Sequence, residues 1–267
     1  MADRLPSTPM TTTAQLGTVL PLPTRPQEFI RPAADAELDS IAEDLERVVD
    51  SASTGVRRVF DVGVSAMAIL CLAPVMLAVA TAVKLDSPGP VFYTQDRVGI
   101  NRRRQERRRD LRAESGRRRF LHAGRPFPIY KFRTMRTDAE AAGPQWASNG
   151  DPRITRVGRV LRKARLDEVP QFFNVLRGDM TLIGPRPERP FFIDVLQKEV
   201  PHYNKRLLVK PGITGMAQVN HKYDDSIESV RTKVKWDLRY IRRRSLRADL
   251  SILLHTVRVV LTGEGAC

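Results

Sequence analysis

Cysteine is scarce in this chain: Cys71, inside an apolar run, and Cys267, at the C-terminus, are the only two among 267 residues. They make no disulfide framework, and a reducing cytoplasmic setting is the simpler expectation. The four histidines, His122, His202, His221 and His255, fall in no HxxxH spacing, and there is no CxxC pair, so the sequence gives no support for zinc. Neither a zinc finger nor an RNP-type aromatic strand is present, which leaves a nucleic-acid partner without a reading element and sets the expectation of no nucleic acid. No internal repeat occurs. A signal peptide is not expected, because the long apolar run starts only at Val62.

Positive charge is abundant. Forty-five basic against 30 acidic residues leave +15, and the excess is uneven: Met1–Val56 holds four arginines against nine acidic residues, a net −5. The remainder therefore carries +20, which calls for polyanionic partners such as nucleotides or anionic head groups. The densest part is Asn101–Arg125, with eleven arginines against Glu106, Asp110 and Glu114. It reads either as a solvated insertion or as an electrostatic attachment to anionic membrane lipids, where each basic residue adds about 1 kcal/mol.

Val62–Val83 is 22 residues without a charge. At ~1.5 Å per residue a straight helix of that length matches a hydrocarbon core of ~30 Å. Pro74 argues for a break, because it removes a backbone donor and crowds the preceding turn. Arg57 and Arg58 precede the run, and Lys84, Arg97, Arg102, Arg103 and Arg104 follow it, so the positive-inside bias draws both ends to one side. A re-entrant helix that turns at Pro74 meets both constraints; a kinked single pass and a buried core helix are the alternatives.

The richest stretch is Leu161–Glu188, LRKARLDEVPQFFNVLRGDMTLIGPRPE, where Asp167 and Glu168 are adjacent and arginines stand on both sides. Neighbours on a helix point about 100° apart, so the two carboxylates are suited to different tasks. One can attack an electrophilic phosphorus while the other holds a divalent cation or moves a proton. Arg162, Arg165, Arg177 and Arg186 suit a substrate with several negative charges, since a guanidinium offers a planar fork to phosphate oxygens. A solvated helix face with neutralising arginines is the plainer reading of the same residues.

This stretch resembles the signature of the bacterial sugar transferases, the monotopic phosphoglycosyl transferases. Further blocks similar to that family follow in the same order: SPGPVFYTQDRVG at Ser87–Gly99, IYKFRTM at Ile129–Met135, DPRITRVGRVLR at Asp151–Arg162 and KPGITGMAQVN at Lys210–Asn220. Together they span most of Arg57–Gly265. The resemblance implies transfer of a sugar 1-phosphate from a nucleotide sugar, with a UDP-hexose as the expectation, to polyprenyl phosphate, as the first membrane step of exopolysaccharide or surface glycan synthesis. It implies Asp167 as the nucleophile; Glu168 would bind Mg²⁺, with Asp167 as a second ligand, or handle a proton. Lys131, Arg162 and Arg186 would surround the phosphates, with Arg133 a further candidate that could instead pair structurally. Arg165 departs from the family pattern, which usually has a small hydroxyl residue there. The expected location is the cytoplasmic face of a bacterial inner membrane. A membrane-tethered nucleic-acid-binding protein and an inactive scaffold of the same fold are the rival readings, and self-association is left open.

The expected architecture is α+β and helix-dominated. Residues 1–56 form an N-terminal tail, disordered apart from a short acidic helix over Ala34–Ala52 that could compete for the arginine-rich insertion. Residues 57–86 form the re-entrant membrane helix. Residues 87–267 form a cytoplasmic catalytic domain with a small β-hairpin (Val91–Tyr93 with Phe127–Phe132), interfacial amphipathic helices and the insertion at 101–125. Ile154, Val157, Val160, Leu161 and Ala164 fall on one side of a helix, with Arg156, Arg159, Arg162 and Lys163 opposite and Arg153 placed in the first turn. Ser226–Leu261 predicts two helices interrupted near Arg244–Arg247, with Trp236, Tyr240, Ile241, Leu250, Leu253, Leu254 and Val257 as core.

Overall fold

The structure, a computed structural model, describes residues 33–43, 45, 49, 54–100, 124–141, 151–220 and 226–262. The expectations for residues 1–32 and for nearly all of the arginine-rich insertion lie outside the described residues. Helix α1 (Ala33–Ala42) leads to α2 (Thr54–Asp86), which carries the uncharged run. An 18-residue window within Gly55–Asp86 has a mean hydropathy of 2.4 and is only 11% buried. By length and composition α2 can cross a membrane. Pro74 lies inside it, and helical backbone continues on both sides, so the proline costs one hydrogen bond without ending the element.

Both ends of α2 are fastened to the rest of the chain. Near its start, Arg58 donates to the carbonyls of Val175 and Leu176 at 2.5 and 2.7 Å, and buried Asp61 accepts from the Thr181 hydroxyl (2.8 Å) and the Leu182 amide (3.1 Å). Arg57 pairs with Asp249. Near its end, Val79 and Val83 pack with Phe132 and Leu161 in a small cluster of their own. The Asp86 carboxylate accepts the Val157 amide (3.1 Å), serving the first turn of the next helix, where orphan amides need acceptors.

Strands β1 (Phe92–Val98) and β2 (Pro126–Phe132) pair antiparallel, with Tyr93 opposite Lys131 and Gln95 opposite Ile129. The hairpin is thus longer on its first strand than the sequence suggests. Helix α3 (Arg156–Lys163) is capped by Thr155, whose hydroxyl accepts the Gly158 amide, so Arg153 precedes the helix and pairs with Asp151 instead of entering the first turn. Gly158 is required by contact: a Cβ there would stand 2.1 Å from the Thr134 carbonyl oxygen. Arg165 at φ 54° then ends the run, and Leu166–Glu168 forms a single 3-10 turn. The adjacent carboxylates therefore sit on that tighter turn and not on an α-helix, with successive residues about 120° apart.

Helix α4 (Gln171–Arg177) follows, then β3 (Thr181–Ile183), α5 (Pro190–Glu199), a 3-10 segment (Tyr203–Leu208), β4 (Gly212–Thr214), α6 (Met216–Asn220), α7 (Ile227–Arg242) and α8 (Leu246–Thr262). Buried Asn174 on α4 imitates a strand neighbour for β2, accepting from the Tyr130 amide and donating to the Pro128 carbonyl. The parallel pair β3–β4 was not anticipated; its three-residue strands are too short for a periodic signal.

The main core gathers Val98, Ile129, Val175, Met180, Leu182, Ile193, Val234, Leu238 and Ile241. Leu38, Ile41 and Leu45 belong to it as well, so the acidic N-terminal helix is an integral layer and not part of a loose tail. Its polar side meets α7 through Glu37, which pairs with Lys235 and Arg239. Two expectations need correction. Val160 and Ala164 are exposed, while Arg162 turns inward, so only Val157 and Leu161 pack. On α8 the core reading fails for Leu250, Leu254 and Val257, all more than half exposed, because Asp249, Ile252 and Thr256 take the inward side.

Candidate active site

A cavity of about 540 Å³ opens between the hairpin, the 3-10 turn and the segment after β3. Five of the expected site residues, Lys131, Arg162, Asp167, Glu168 and Arg186, line its charged end, with Arg165 beside them. Lys131 is presented by the end of strand β2, Arg162 by α3, the carboxylates by the 3-10 turn, and Arg186 by the Gly-Pro-Arg-Pro segment. Arg177 is not among them: its guanidinium donates to the Tyr130 hydroxyl and lies near Asp179.

The two carboxylates are in unlike surroundings. Glu168 Oε1 accepts from Lys131 Nζ at 2.7 Å and from Arg186 at 2.5 Å, and Oε2 accepts from Arg186 at 3.2 Å. Burial works to raise its pKa, but Arg186 and Lys131 together hold it well below the usual carboxylate range. Asp167 is buried and makes no hydrogen bond or ion pair among the described residues. Burial first, and the neighbouring Glu168 charge second, push its carboxyl up, against the pull of Lys131, Arg162 and Arg186. The pair is thus split into a neutralised anchor and a more basic, uncommitted carboxylate, the arrangement by which adjacent acids take different roles.

The cations are themselves held in place. Arg162 Nε donates to the Thr134 hydroxyl at 3.0 Å. Arg206, deep in the core, binds Asp237 at 2.6 Å and donates to the main-chain oxygen of Arg186 at 3.1 Å. Arg97 donates to the Pro187 carbonyl at 3.1 Å. Glu188 receives Lys233 at 2.7 Å; burial opposes its charge, yet Lys233, Arg206 and Arg97 bring its pKa down to about 2. Such fixation lowers the reorganisation needed when a polyanion arrives. Arg133 lines the cavity wall, but its guanidinium donates to the carbonyls of Val83, Ser87 and Pro88, tying the hairpin to the end of α2.

Arg97, Thr134, Glu188, Arg206 and Asp237 were missed as site-supporting residues. Arg97 and Glu188 lie inside the blocks SPGPVFYTQDRVG and GPRPE, so a charged residue within a family-like block was an available signal; Arg206 and Asp237 had none.

Fold and site together define a class: a helix-dominated domain joined to one long apolar helix, with a cavity lined by several cations beside a buried carboxylate. The family profile of the bacterial sugar transferases matches residues 52–108 and 115–263, and the chain belongs to that family. It is 44% identical over 211 residues to a UDP-N-acetylgalactosamine-undecaprenyl-phosphate N-acetylgalactosaminephosphotransferase of Aeromonas hydrophila, covering 79% of this chain and 45% of that one. It is 39% identical over 212 residues to a UDP-glucose:undecaprenyl-phosphate glucose-1-phosphate transferase of Caulobacter vibrioides, covering 79% and 71%. The exopolysaccharide production protein PSS of Rhizobium leguminosarum bv. phaseoli is 37% identical over 216 residues, 78% of this chain and 97% of its own length. The chain thus spans about half the length of the Aeromonas relative and nearly all of the Rhizobium one.

Proposed function

We propose that this protein transfers a sugar 1-phosphate from a UDP-sugar to polyprenyl phosphate at the cytoplasmic face of a bacterial inner membrane. The observation that carries the reading is the contrast between Asp167, buried and uncommitted, and Glu168, saturated by Lys131 and Arg186. Relatives named as UDP-sugar:undecaprenyl-phosphate transferases support the substrate class.

In the first step an Asp167 carboxylate oxygen attacks the phosphorus that bears the sugar. The bond from that phosphorus to the bridging oxygen breaks, and uridine monophosphate leaves with the electron pair. In the second step an oxygen of polyprenyl phosphate attacks the same phosphorus, the bond to Asp167 breaks, and the carboxylate is regenerated. Arg162, Lys131 and Arg186 stabilise the charge that gathers on the phosphoryl oxygens. Attachment of both ends of α2 to one domain supports a re-entrant course through the lipid, which would keep the cavity at head-group depth.

A divalent cation fits this site in a restricted way. No group of three His, Cys, Asp or Glu side chains converges among the described residues, so a closed protein cage is not available. Mg²⁺ commonly makes do with one or two carboxylates and substrate phosphates. Asp167 is the carboxylate open to it, whereas Glu168 could serve only by releasing Lys131 or Arg186. When bound, the ion would neutralise the diphosphate and polarise its phosphoryl oxygens.

The test is release of uridine monophosphate from UDP-sugars by the purified chain, with and without polyprenyl phosphate and Mg²⁺. Incubation with donor alone should leave one labelled phosphosugar on Asp167; product formation without any such adduct would overturn the covalent step.

A further inference from the structure

The same cavity carries a second polar cluster, on its more exposed rim, built from a different chemistry. Tyr93 on β1 donates from its hydroxyl to Glu140 Oε1 at 3.1 Å. The Gln95 amide donates to the Tyr93 hydroxyl at 2.9 Å and to Glu140 Oε1 at 3.3 Å. Arg189 makes a fork on Glu140, with both contacts at 3.1 Å. Burial, and then the Glu140 charge, push the Tyr93 hydroxyl up, so it remains a donor. These groups line the same cavity as Asp167, with the ring of Phe192 beside them.

Register fixes their distance from the chemistry. Tyr93 is the cross-strand partner of Lys131, and Gln95 lies two residues further along the same face. Directly opposed residues stand about 5 Å apart, roughly the width of one hexose ring. A donor whose reacting phosphorus lies between Lys131 and Asp167 therefore has the group bonded to that phosphorus within reach of Tyr93. Two groups hang from that phosphorus, the sugar and, through the bridging oxygen, the uridine monophosphate; the sugar is bonded to it directly, whereas the nucleoside is one phosphate further away.

The chemistry matches as well. Sugar hydroxyls both donate and accept, and the cluster offers an acceptor (Glu140), donors (Arg189, Gln95) and a hydroxyl that can do either (Tyr93) next to an aromatic wall. We propose that Tyr93, Gln95, Glu140 and Arg189 form the subsite that reads the hydroxyls of the transferred sugar, Glu140 being the main discriminating residue. This rests on the sugar-1-phosphate transfer proposed above.

The experiment compares kcat/KM of the full chain and of its Glu140→Gln and Tyr93→Phe variants on UDP-glucose, UDP-galactose and their N-acetylated counterparts. Inhibition by uridine monophosphate is measured on each. Either variant is expected to change the ratio between at least two sugars by about tenfold, with uridine monophosphate inhibition unaltered. Tyr93→Phe removes a single oxygen and keeps the test open if Glu140→Gln does not fold. Ratios unchanged in both variants, or a uniform loss across the panel, overturn the subsite. Weakened inhibition by uridine monophosphate with unchanged sugar ratios assigns the cluster to the nucleoside and overturns it too. If the unaltered chain turns over no nucleotide sugar, the transfer reading itself fails and the subsite falls with it; turnover with fixed ratios sinks the subsite alone.

Discussion

Between Leu161 and Glu188 the chain buries charge, whereas between Val62 and Val83 it leaves apolar side chains outside. In the first stretch the cost of desolvation is offset by partners: Glu168 holds Lys131 and Arg186, and Glu188 holds Lys233. In the second, Leu70 is 72% and Leu77 71% exposed, with no described part of the chain covering them. A buried ion is tolerated when paired, because truncating one partner strands the other. An exposed apolar helix is tolerated only in a non-aqueous surrounding. The difference matches the function proposed above, in which the polar cavity takes the diphosphate and the apolar helix takes lipid. Asp167 stands between the two cases, a buried carboxylate with no hydrogen-bond or ion-pair partner among the described residues.

Asp167→Asn presses hardest on that exception. It keeps the shape and removes the proposed nucleophile, so turnover should fall by about 10³-fold or more while binding of uridine monophosphate persists. Activity within tenfold of the unaltered chain would show that the uncommitted carboxylate is not the attacking group.

Glu188 probes the paired side. Its folded pKa of about 2 lies below the ordinary 4.5, so its contribution is complete above pH 4.5 and is lost as pH falls from there toward 2. That amounts to about 3 kcal/mol. Denaturation in detergent between pH 6 and 3 should show a shallower acid slope for Glu188→Gln than for the unaltered chain, although the variant is less stable at neutral pH. Equal slopes would mean that the ion pairs to Lys233 and Arg97 are not formed.

On the apolar side, Leu70→Arg combined with Leu77→Arg should weaken membrane attachment by about 2–3 kcal/mol per residue if these side chains face lipid. Flotation with vesicles measures it. Cavity residues are remote in sequence from both positions, so nucleotide binding in detergent should be retained; unaltered flotation would place α2 against protein instead.

The sequence alone supported more of the site than of the fold, and the reason is physical. Lys131, Arg162, Asp167, Glu168 and Arg186 are grouped in short blocks whose charge pattern is visible without knowing the backbone, and the structure brings these five into one cavity. What separated the two carboxylates was not visible, because it depends on Arg165 adopting a left-handed backbone that opens a 3-10 turn and on Lys131 and Arg186 arriving from distant segments. The Tyr93 and Glu140 pairing joins residues 47 positions apart and depends on strand register. Helical periodicity located α1, α7 and α8, and the uncharged run located α2 though not its continuity through Pro74; periodicity misjudged which side of α8 is buried, because Asp249 and Thr256 turn inward to partners on α2 and β4.

The finest test concerns how the carboxylates influence one another. Burial raises Asp167 above its ordinary 3.8 and the charge of Glu168 raises it further. If Asp167 must be ionised to attack, kcat/KM falls on the acid side as pH drops through that raised value. Glu168→Gln removes the like charge and also frees Lys131 and Arg186 to act on Asp167, and both changes favour its ionised form. The acid limb should therefore move to lower pH, even as the maximal rate declines through loss of the anchor for the two cations. A limb that stays in place, or moves upward, would mean that Glu168 governs position only and that the basicity of Asp167 comes from burial alone.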